Sequence, residues 1–434
     1  MLLFPLFVLL TYSMDQVHRK PVIRYSGDCR VGLVLPGGGA RGAYQVGVLK
    51  AVSELLPRRS PSPFSVLSGT SAGAVNTVVI ASRSRLFHVG VAELEHVWGN
   101  FRSQEVFKSD AGTMIRNSLH WLLAVITGGL GNQNRLALLD NSPLRELLSR
   151  RVNFAAIQKS IDAGYVDAVS ITAAGYSSSR SVAFYQGGEE VEPWMRVRRV
   201  GRREELNLDH VMASIAVPIV FPPVQIGQEY FGDGAMRQAT PLSPAVHLGA
   251  DRILVIGVRN EQPDAPGNGD PVYPSLGRVA GYMLDALFMD GLSADLERMA
   301  RINTMLRQTP GAAPEGDAGP LRPIDAFVLL PSQDVREIAQ RHIREVPRAV
   351  RVLLRGLGAM NRGGMQLASY LLFESGYTRE LIDLGYADAM ARSDELLQFL
   401  RGEPMDAPSG ITGWNELSTE YTSRMPTVQL SEQE

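Results

Sequence analysis

One cysteine, Cys29, in 434 residues excludes an intrachain disulfide and leaves no thiolate cluster for a zinc site. A chain without disulfides suits a reducing compartment, and a cytoplasmic location, peripheral to the membrane, is expected. Charge of one sign is also lacking: 43 Lys and Arg stand against 45 Asp and Glu, a formal net charge of −2. No field of the whole molecule therefore attracts nucleic acid, and any charged partner must be met by a local patch. Long apolar runs are scarce. Met1–Leu10 is almost wholly apolar, but a membrane span needs about 20 such residues. Its first basic residues, Arg19 and Lys20, follow the run, and no small-residue cleavage site appears, so it does not read as a secretory signal. Two readings of residues 1–13 stand side by side: a membrane-contacting tail, or a segment upstream of a true start at Met14.

What is present is ordinary globular composition, 45% hydrophobic. The length suffices for one large α/β core with an extension, or for two to three domains. Val31–Leu35 is a short apolar run ending in Pro36 and three glycines, which predicts a buried strand entering a Gly-rich turn. A helix is expected over 41–56, a strand over 64–67 and a second helix over 74–81. Strand, turn, helix, repeated, is the pattern of a parallel sheet wound with helices. Further strands are expected over 167–173, 181–185, 252–258 and 326–330. Two Pro/Gly-rich stretches, 260–274 and 308–323, read as loops. Helices follow over 333–356, 364–375 and 378–400, and the chain is polar from 401 onward, where disorder is expected. There is no internal repeat. The organisation expected is a tail over 1–29, a catalytic domain over 30–332, a helical extension over 333–400 and a disordered tail over 401–434.

Gly69-Thr70-Ser71-Ala72-Gly73 falls between a strand and a helix. Gly-x-Ser-x-Gly in that context is a nucleophile elbow: a tight turn with small flanking residues that projects the serine hydroxyl at a helix N-terminus. The helix dipole and free N–H groups there favour developing negative charge. A second glycine cluster, Gly37-Gly38-Gly39-Ala40-Arg41-Gly42, follows the first strand. It is not a Walker loop, and no acidic residue ends a second strand as a dinucleotide site requires. Consecutive glycines instead suit an oxyanion hole, where backbone N–H groups approach a tetrahedral intermediate unobstructed. Arg41 adds fixed positive charge nearby.

These motifs resemble the patatin-like phospholipase family. Its glycine-rich motif with Arg-Gly, its Gly-x-Ser-x-Gly elbow and its later Asp-Gly-Ala/Gly occur here in order, the last as Asp233-Gly234-Ala235. Ala213–Pro218 running into Phe221-Pro222-Pro223 is a fourth match, and Asp140-Asn141-Ser142-Pro143-Leu144 a weaker fifth. Pro36 stands where many members have Asp or Ser. The resemblance covers roughly residues 30–260 and implies a three-layer α/β/α fold with a mainly parallel central sheet, plus the C-terminal helical extension. It implies a serine acyl hydrolase of phospholipase A or lysophospholipase type. Ser71 would be the nucleophile and Asp233 the general base, with no cofactor and no metal. Gly37, Gly38, Gly39, Arg41 and Ala72 would form or support the oxyanion hole, and Gly42, Gly69, Gly73 and Gly234 would support the motifs. The implied partner is a lipid or phospholipid, with peripheral membrane contact and no nucleic acid; oligomeric state is left open.

Two rival readings are a Ser–acid–His triad, drawing on His247 or His342, and a catalytically quiet membrane scaffold. Three surfaces suit lipid contact, each with a plainer role beside it. They are the apolar run Trp121–Ile126, a core helix or a cap; the arginines 341, 344, 348, 351 and 355, interrupted by Pro347; and Arg196, Arg198, Arg199, Arg202 and Arg203 on an expected hairpin.

Overall fold

The computed structural model describes residues 26–110, 112, 137–260, 273–308, 315–316, 319–356, 358–360, 364–405 and 411–412. The tail up to residue 25 with Met14, the Trp121–Ile126 run, most of the two Pro/Gly-rich stretches and most of the segment after 401 lie outside the described residues.

Among the described residues, eleven strands form one sheet. They are β1 (Val31–Leu35), β2 (Val66–Thr70), β3 (Ala168–Gly175), β4 (Ser181–Gly187), β5 (Trp194–Met195), β6 (Arg199–Arg203), β7 (Val224–Ile226), β8 (Glu229–Asp233), β9 (Arg252–Ile256), β10 (Asp325–Leu329) and β11 (Ile411–Thr412). The order is β11-β10-β9-β1-β2-β3-β4-β6-β5, and β8 joins the far end of β3 and carries β7 on its outer edge. From β11 to β3 every pairing is parallel. The runs VGLVL and RILVI are buried at every position, as strands covered on both faces must be. The fold is the expected α/β class, a mainly parallel sheet between helical layers.

The helices that matter for the site are α1 (Ala43–Leu55), α2 (Ala72–Ser82), α3 (Phe87–Gly99), α4 (Leu208–Ser214), α5 (Leu276–Asp285), α6 (Arg348–Gly356), α7 (Met365–Leu371) and α8 (Ser375–Ala391). A π-helical turn, Ala286–Asp290, follows α5, and a helix over Gly291–Gln308 continues from it. This stretch carried no expected element. The long helix expected over 333–356 is two, Val335–His342 and α6, because Pro347 has no N–H to continue the ladder. The stretch expected as one helix over 378–400 is likewise divided, into α8 and Ser393–Leu400.

The C-terminal helices pack directly on the first one. A Cβ on Gly47 would meet the Ile382 carbonyl, and one on Gly385 the Tyr44 carbonyl, so α1 and α8 touch backbone to backbone. Tyr44 donates to Asp388 at 3.0 Å and Tyr386 to Glu54 at 2.7 Å, closing the same seam at its margins. No described helix is long and apolar enough to cross a membrane.

Candidate active site

β2 ends at Thr70 and α2 begins at Ala72, leaving Ser71 alone at the turn with φ 53° and ψ −125°. A non-glycine residue on that side of the map is strained, and such strain collects at functional turns. The flanking glycines are there for space. A Cβ on Gly73 would run into the Leu35 carbonyl oxygen, and one on Gly69 into Thr77 Oγ1. The strained turn is tied down from outside: the Ser71 N–H donates to Ser214 Oγ at 2.8 Å, and that hydroxyl donates to the Thr172 carbonyl at 2.6 Å. Ser214, at the end of α4, is fully buried.

The sheet register explains how Asp233 reaches Ser71. Thr70, last residue of β2, pairs with Thr172 of β3. One step further along β3, Ala173 pairs with Asp233, last residue of β8. The two strands thus abut end to end along one side of β3, and the residues that close them, Ser71 and Asp233, face each other. Gly234 follows, where a Cβ would strike the Thr172 carbonyl. Both functional side chains are sealed, Ser71 at 3% and Asp233 at 2% exposure. Asp233 Oδ1 accepts the Ala235 N–H at 2.9 Å, and Oδ2 has no full hydrogen bond. Desolvation raises the Asp233 pKa to about 7, with the Ser71 hydroxyl and the Ala235 N–H pulling against it.

The glycine loop lies across the mouth of the elbow. Gly37 passes so close that an added Cβ would stand 2.8 Å from Ser71 Cβ, and Gly39 takes φ +55° against the Tyr370 carbonyl. Gly42 rests on Ala72 and Trp98. Gln45 holds the loop's start by donating to the Pro36 carbonyl at 2.9 Å, and Asn76 donates to the Gly42 carbonyl at 3.2 Å. Arg41, on the same loop, is bound to the later helices. Its fully buried guanidinium pairs with Asp285 at 2.9 Å, donates to Ser369 Oγ at 2.7 and 3.0 Å and to the Gln366 carbonyl at 3.3 Å, and lies 3.8 Å above the Tyr370 ring. Asp285 is also met by Arg259 at 3.1 Å, by the Tyr370 hydroxyl at 2.5 Å and by Gln366. Desolvation alone would raise the Asp285 carboxyl, but Arg41 and Arg259 outweigh it and hold it below the usual value. Arg41 thus fastens the glycine loop to α5 and α7, where its N–H groups are engaged.

A narrow apolar pocket, with a cavity volume of about 70 Å³, is lined by Ser71. Its walls come from Val75 on α2, Trp98 on α3, Ile215 and Val217 after α4, and Leu144 of the Asp140 motif. Leu284 of α5, Phe288 of the π-turn, Tyr370 and Leu371 of α7 and Phe373 complete it. The helices after residue 270 therefore help build the cavity.

Neither candidate histidine turns toward the dyad. The His247 ring stacks on Trp194 at 4.8 Å, and burial, with Arg196 and Arg199, lowers its pKa to about 4. Both ring nitrogens of His342 are engaged, at 2.6 Å each, by Glu345 and Glu380. Of the 196–203 arginines, Arg202 lies over the Phe184 ring and Arg203 bonds the carbonyls of Gly187 and Gly188. Arg341 pairs with Glu380. Reading by motif missed Ser214, Asp285, Phe288 and Tyr370. The serine lay inside the quoted Ala213–Pro218 motif, but nothing local marked its hydroxyl as the tie for Ser71.

A family model described as patatin-like phospholipase matches residues 33–246. A cUMP-AMP-activated phospholipase of Escherichia coli is 36% identical over 90 residues, 20% of this chain and 27% of that protein. Lysophospholipase nte1 of Aspergillus terreus is 51% identical over 51 residues, 12% of this chain and 3% of that protein. The matched segment thus spans less than a third of either curated relative. Among solved structures, VipD from Legionella pneumophila aligns over 92% of this chain and 75% of its own, at 11% identity and a TM-score of 0.31. Human GIVD cytosolic phospholipase A2, in complex with methyl gamma-linolenyl fluorophosphonate, aligns over 86% and 59%, at 13% identity and a TM-score of 0.38.

Proposed function

Because residues 33–246 are a patatin-like phospholipase domain, we propose that this chain hydrolyses acyl esters of lipids through a Ser71–Asp233 dyad. The observation that carries the reading is the buried Asp233 carboxylate, with Oδ2 unengaged and Ser71 the side-chain donor beside it. An ordinary aspartate, with a pKa near 3.9, is a weak base for a hydroxyl. Raised to about 7, it has a proton affinity matched to neutral pH while remaining ionised in a substantial fraction of molecules.

In the proposed cycle the Ser71 hydroxyl attacks the ester carbonyl as its proton passes to Asp233. The resulting oxyanion sits among backbone N–H groups of Gly38, Gly39 and Ala72. Ala72 is the first residue of α2, where the leading N–H groups have no partner within the helix and the dipole is positive. Collapse of the intermediate breaks the ester C–O bond, and the leaving alcohol takes the proton from Asp233. Water, deprotonated by the same carboxylate, then attacks the acyl-enzyme and releases the fatty acid and free Ser71. The apolar pocket next to the serine suits an acyl chain, and supports a lipid ester over a polar one. The substrate class is an acyl lipid of phospholipase A or lysophospholipase type, met at the membrane periphery. Gly37, Gly69, Gly73, Gly42 and Gly234 act by leaving room for the backbone, and Arg41 by positioning the loop. The domain organisation that goes with this reading is a catalytic unit over 30–332 whose pocket is completed by the helices after 333.

The test is covalent labelling by a fluorophosphonate, coupled to fatty-acid release from phospholipid vesicles. Labelling of the parent and none of Ser71→Ala is expected. Equal labelling of both would remove the assignment.

A further inference from the structure

Among the described residues, α5 is an amphipathic helix with its apolar side outward. On α5, Leu276, Val279, Tyr282 and Met283 fall within a third of the helix circumference. They are exposed, Leu276 at 72% and Tyr282 at 70%. The opposite side is packed: Gly277 lies against Ala359, Gly281 against Gln366 and Leu367 of α7, and Leu284 and Asp285 are buried. The periodicity is therefore inverted relative to a core-facing helix, whose large apolar residues point inward.

A second helix supplies the charge. On α6, Val350 and Leu354 are buried, while Arg348, Arg351, Val352 and Arg355 share the other face. Val352 is 69% exposed. The chain leaving α6 seats on the start of α5, where Ser275 Oγ donates to the Gly358 carbonyl at 3.3 Å. Arg278, exposed, borders the apolar arc on α5 itself. Neither helix has an exposed carboxylate: Asp285 is enclosed by Arg41 and Arg259, and α6 contains no acidic residue. Exposed large apolar side chains bordered by arginines are the chemistry of an interfacial helix on an anionic bilayer.

We propose that α5 and the arginine face of α6 form the surface by which this protein docks on anionic lipid membranes, a proposal that rests on the lipid-hydrolase reading above. The apolar arc enters the acyl boundary and the arginines meet headgroup phosphates. The position has a consequence for the site. The same α5 that faces outward with Leu276 and Tyr282 ends in Leu284, Asp285 and Phe288 of the following turn. Leu284 and Phe288 line the acyl pocket, and Asp285 holds Arg41 of the glycine loop. One helix diameter, about 10–12 Å, therefore separates the docked face from the pocket wall. A lipid leaving the bilayer at α5 has that distance to travel.

The experiment uses the full chain with Ser71→Ala, so that vesicles stay intact, and measures co-sedimentation with phosphatidylcholine vesicles with and without phosphatidylglycerol. Binding that rises with phosphatidylglycerol and falls with salt is expected. The variant L276S/V279S/Y282S/M283S should bind roughly tenfold or more weakly. R348E/R355E should lose the phosphatidylglycerol preference, by roughly fivefold for each arginine. Both sets in the Ser71 background should still hydrolyse a soluble short-chain ester, which shows that they fold. As a check independent of those variants, Met283→Cys in a Cys29→Ser chain, labelled with a polarity-sensitive dye, should shift to the blue on anionic vesicles. Vesicle binding unchanged in L276S/V279S/Y282S/M283S, binding indifferent to phosphatidylglycerol and salt, or no blue shift would each overturn the proposal. Capture of a second copy of the chain in place of vesicles would do so as well. Failure of the hydrolase reading is read separately, as soluble-ester turnover that survives Ser71→Ala.

Discussion

Arg41 and Asp285 stand 244 positions apart and meet at 2.9 Å with both side chains sealed from water. A buried pair of this kind is costly to break, because either partner left alone is an uncompensated charge. Asp285→Ala strands the Arg41 guanidinium, and a loss of about 3–5 kcal/mol in unfolding free energy is expected by denaturant titration. Since Arg41 anchors the glycine loop, fluorophosphonate labelling of Ser71 should slow in whatever fraction remains folded. Arg41→Lys should not restore it, because an ammonium cannot serve Asp285, Ser369 and Gln366 together. Labelling at the parental rate in Asp285→Ala would show that the loop holds without this tie.

The dyad makes an asymmetric pair of expectations. Ser71→Ala should bring ester hydrolysis to background. Asp233→Asn retains the shape of the carboxyl and should lower kcat/KM by about 10²–10⁴, the usual contribution of a general base. Steady-state kinetics on a soluble ester checks both, and an active Asp233→Asn would transfer the base role elsewhere.

The pH dependence follows from the same group. Asp233 must be ionised to accept a proton, so kcat/KM should rise with pH and level off above about 7. For stability the sign is opposite. A folded pKa raised from 3.8 to about 7 means that the folded state holds the proton more tightly than the unfolded chain. Stability from this group is complete below pH 3.8 and declines as pH rises to about 7, after which it is flat. Asp233→Asn removes that decline, so its advantage over the parent in thermal unfolding should grow across this window. A constant difference at all pH values would contradict the raised pKa.

His247 offers a control on mechanism. Its ring stacks on Trp194 and is neutral at pH 7, with a pKa near 4. His247→Ala should leave kcat within about twofold, with a stability cost of about 0.5–1.5 kcal/mol for the lost ring contact. A collapse of kcat would reinstate a histidine triad.

Val75, on α2 beside Ser71, faces the pocket. Val75→Phe should narrow this cavity and shift the preferred acyl chain toward shorter esters. A ladder of soluble esters of increasing chain length measures this; an unchanged optimum would mean that the acyl chain lies elsewhere.

The sequence by itself determined the parts whose physics is local. A five-residue elbow needs small residues on either side of Ser71 because the turn leaves no space for them, and Gly69 and Gly73 announce that requirement wherever the chain later folds. Predominantly apolar runs such as Val31–Leu35 and Arg252–Ile256 similarly declare strands covered on both faces. Asp233 was legible by its motif, but its meeting with Ser71 depends on β2 and β8 ending at neighbouring positions of β3, a matter of register. Only the tertiary structure decided the rest. Ser214 reaches Ser71 from 143 residues away, Ser369 reaches Arg41 from 328, and the pocket draws walls from both ends of the chain. No spacing rule links such residues, because a hydrogen bond or an ion pair depends on distance in space. The outward apolar face of α5 shows the same limit. Its residues have the period of any amphipathic helix, and which side meets the core was decided by where α7 came to rest.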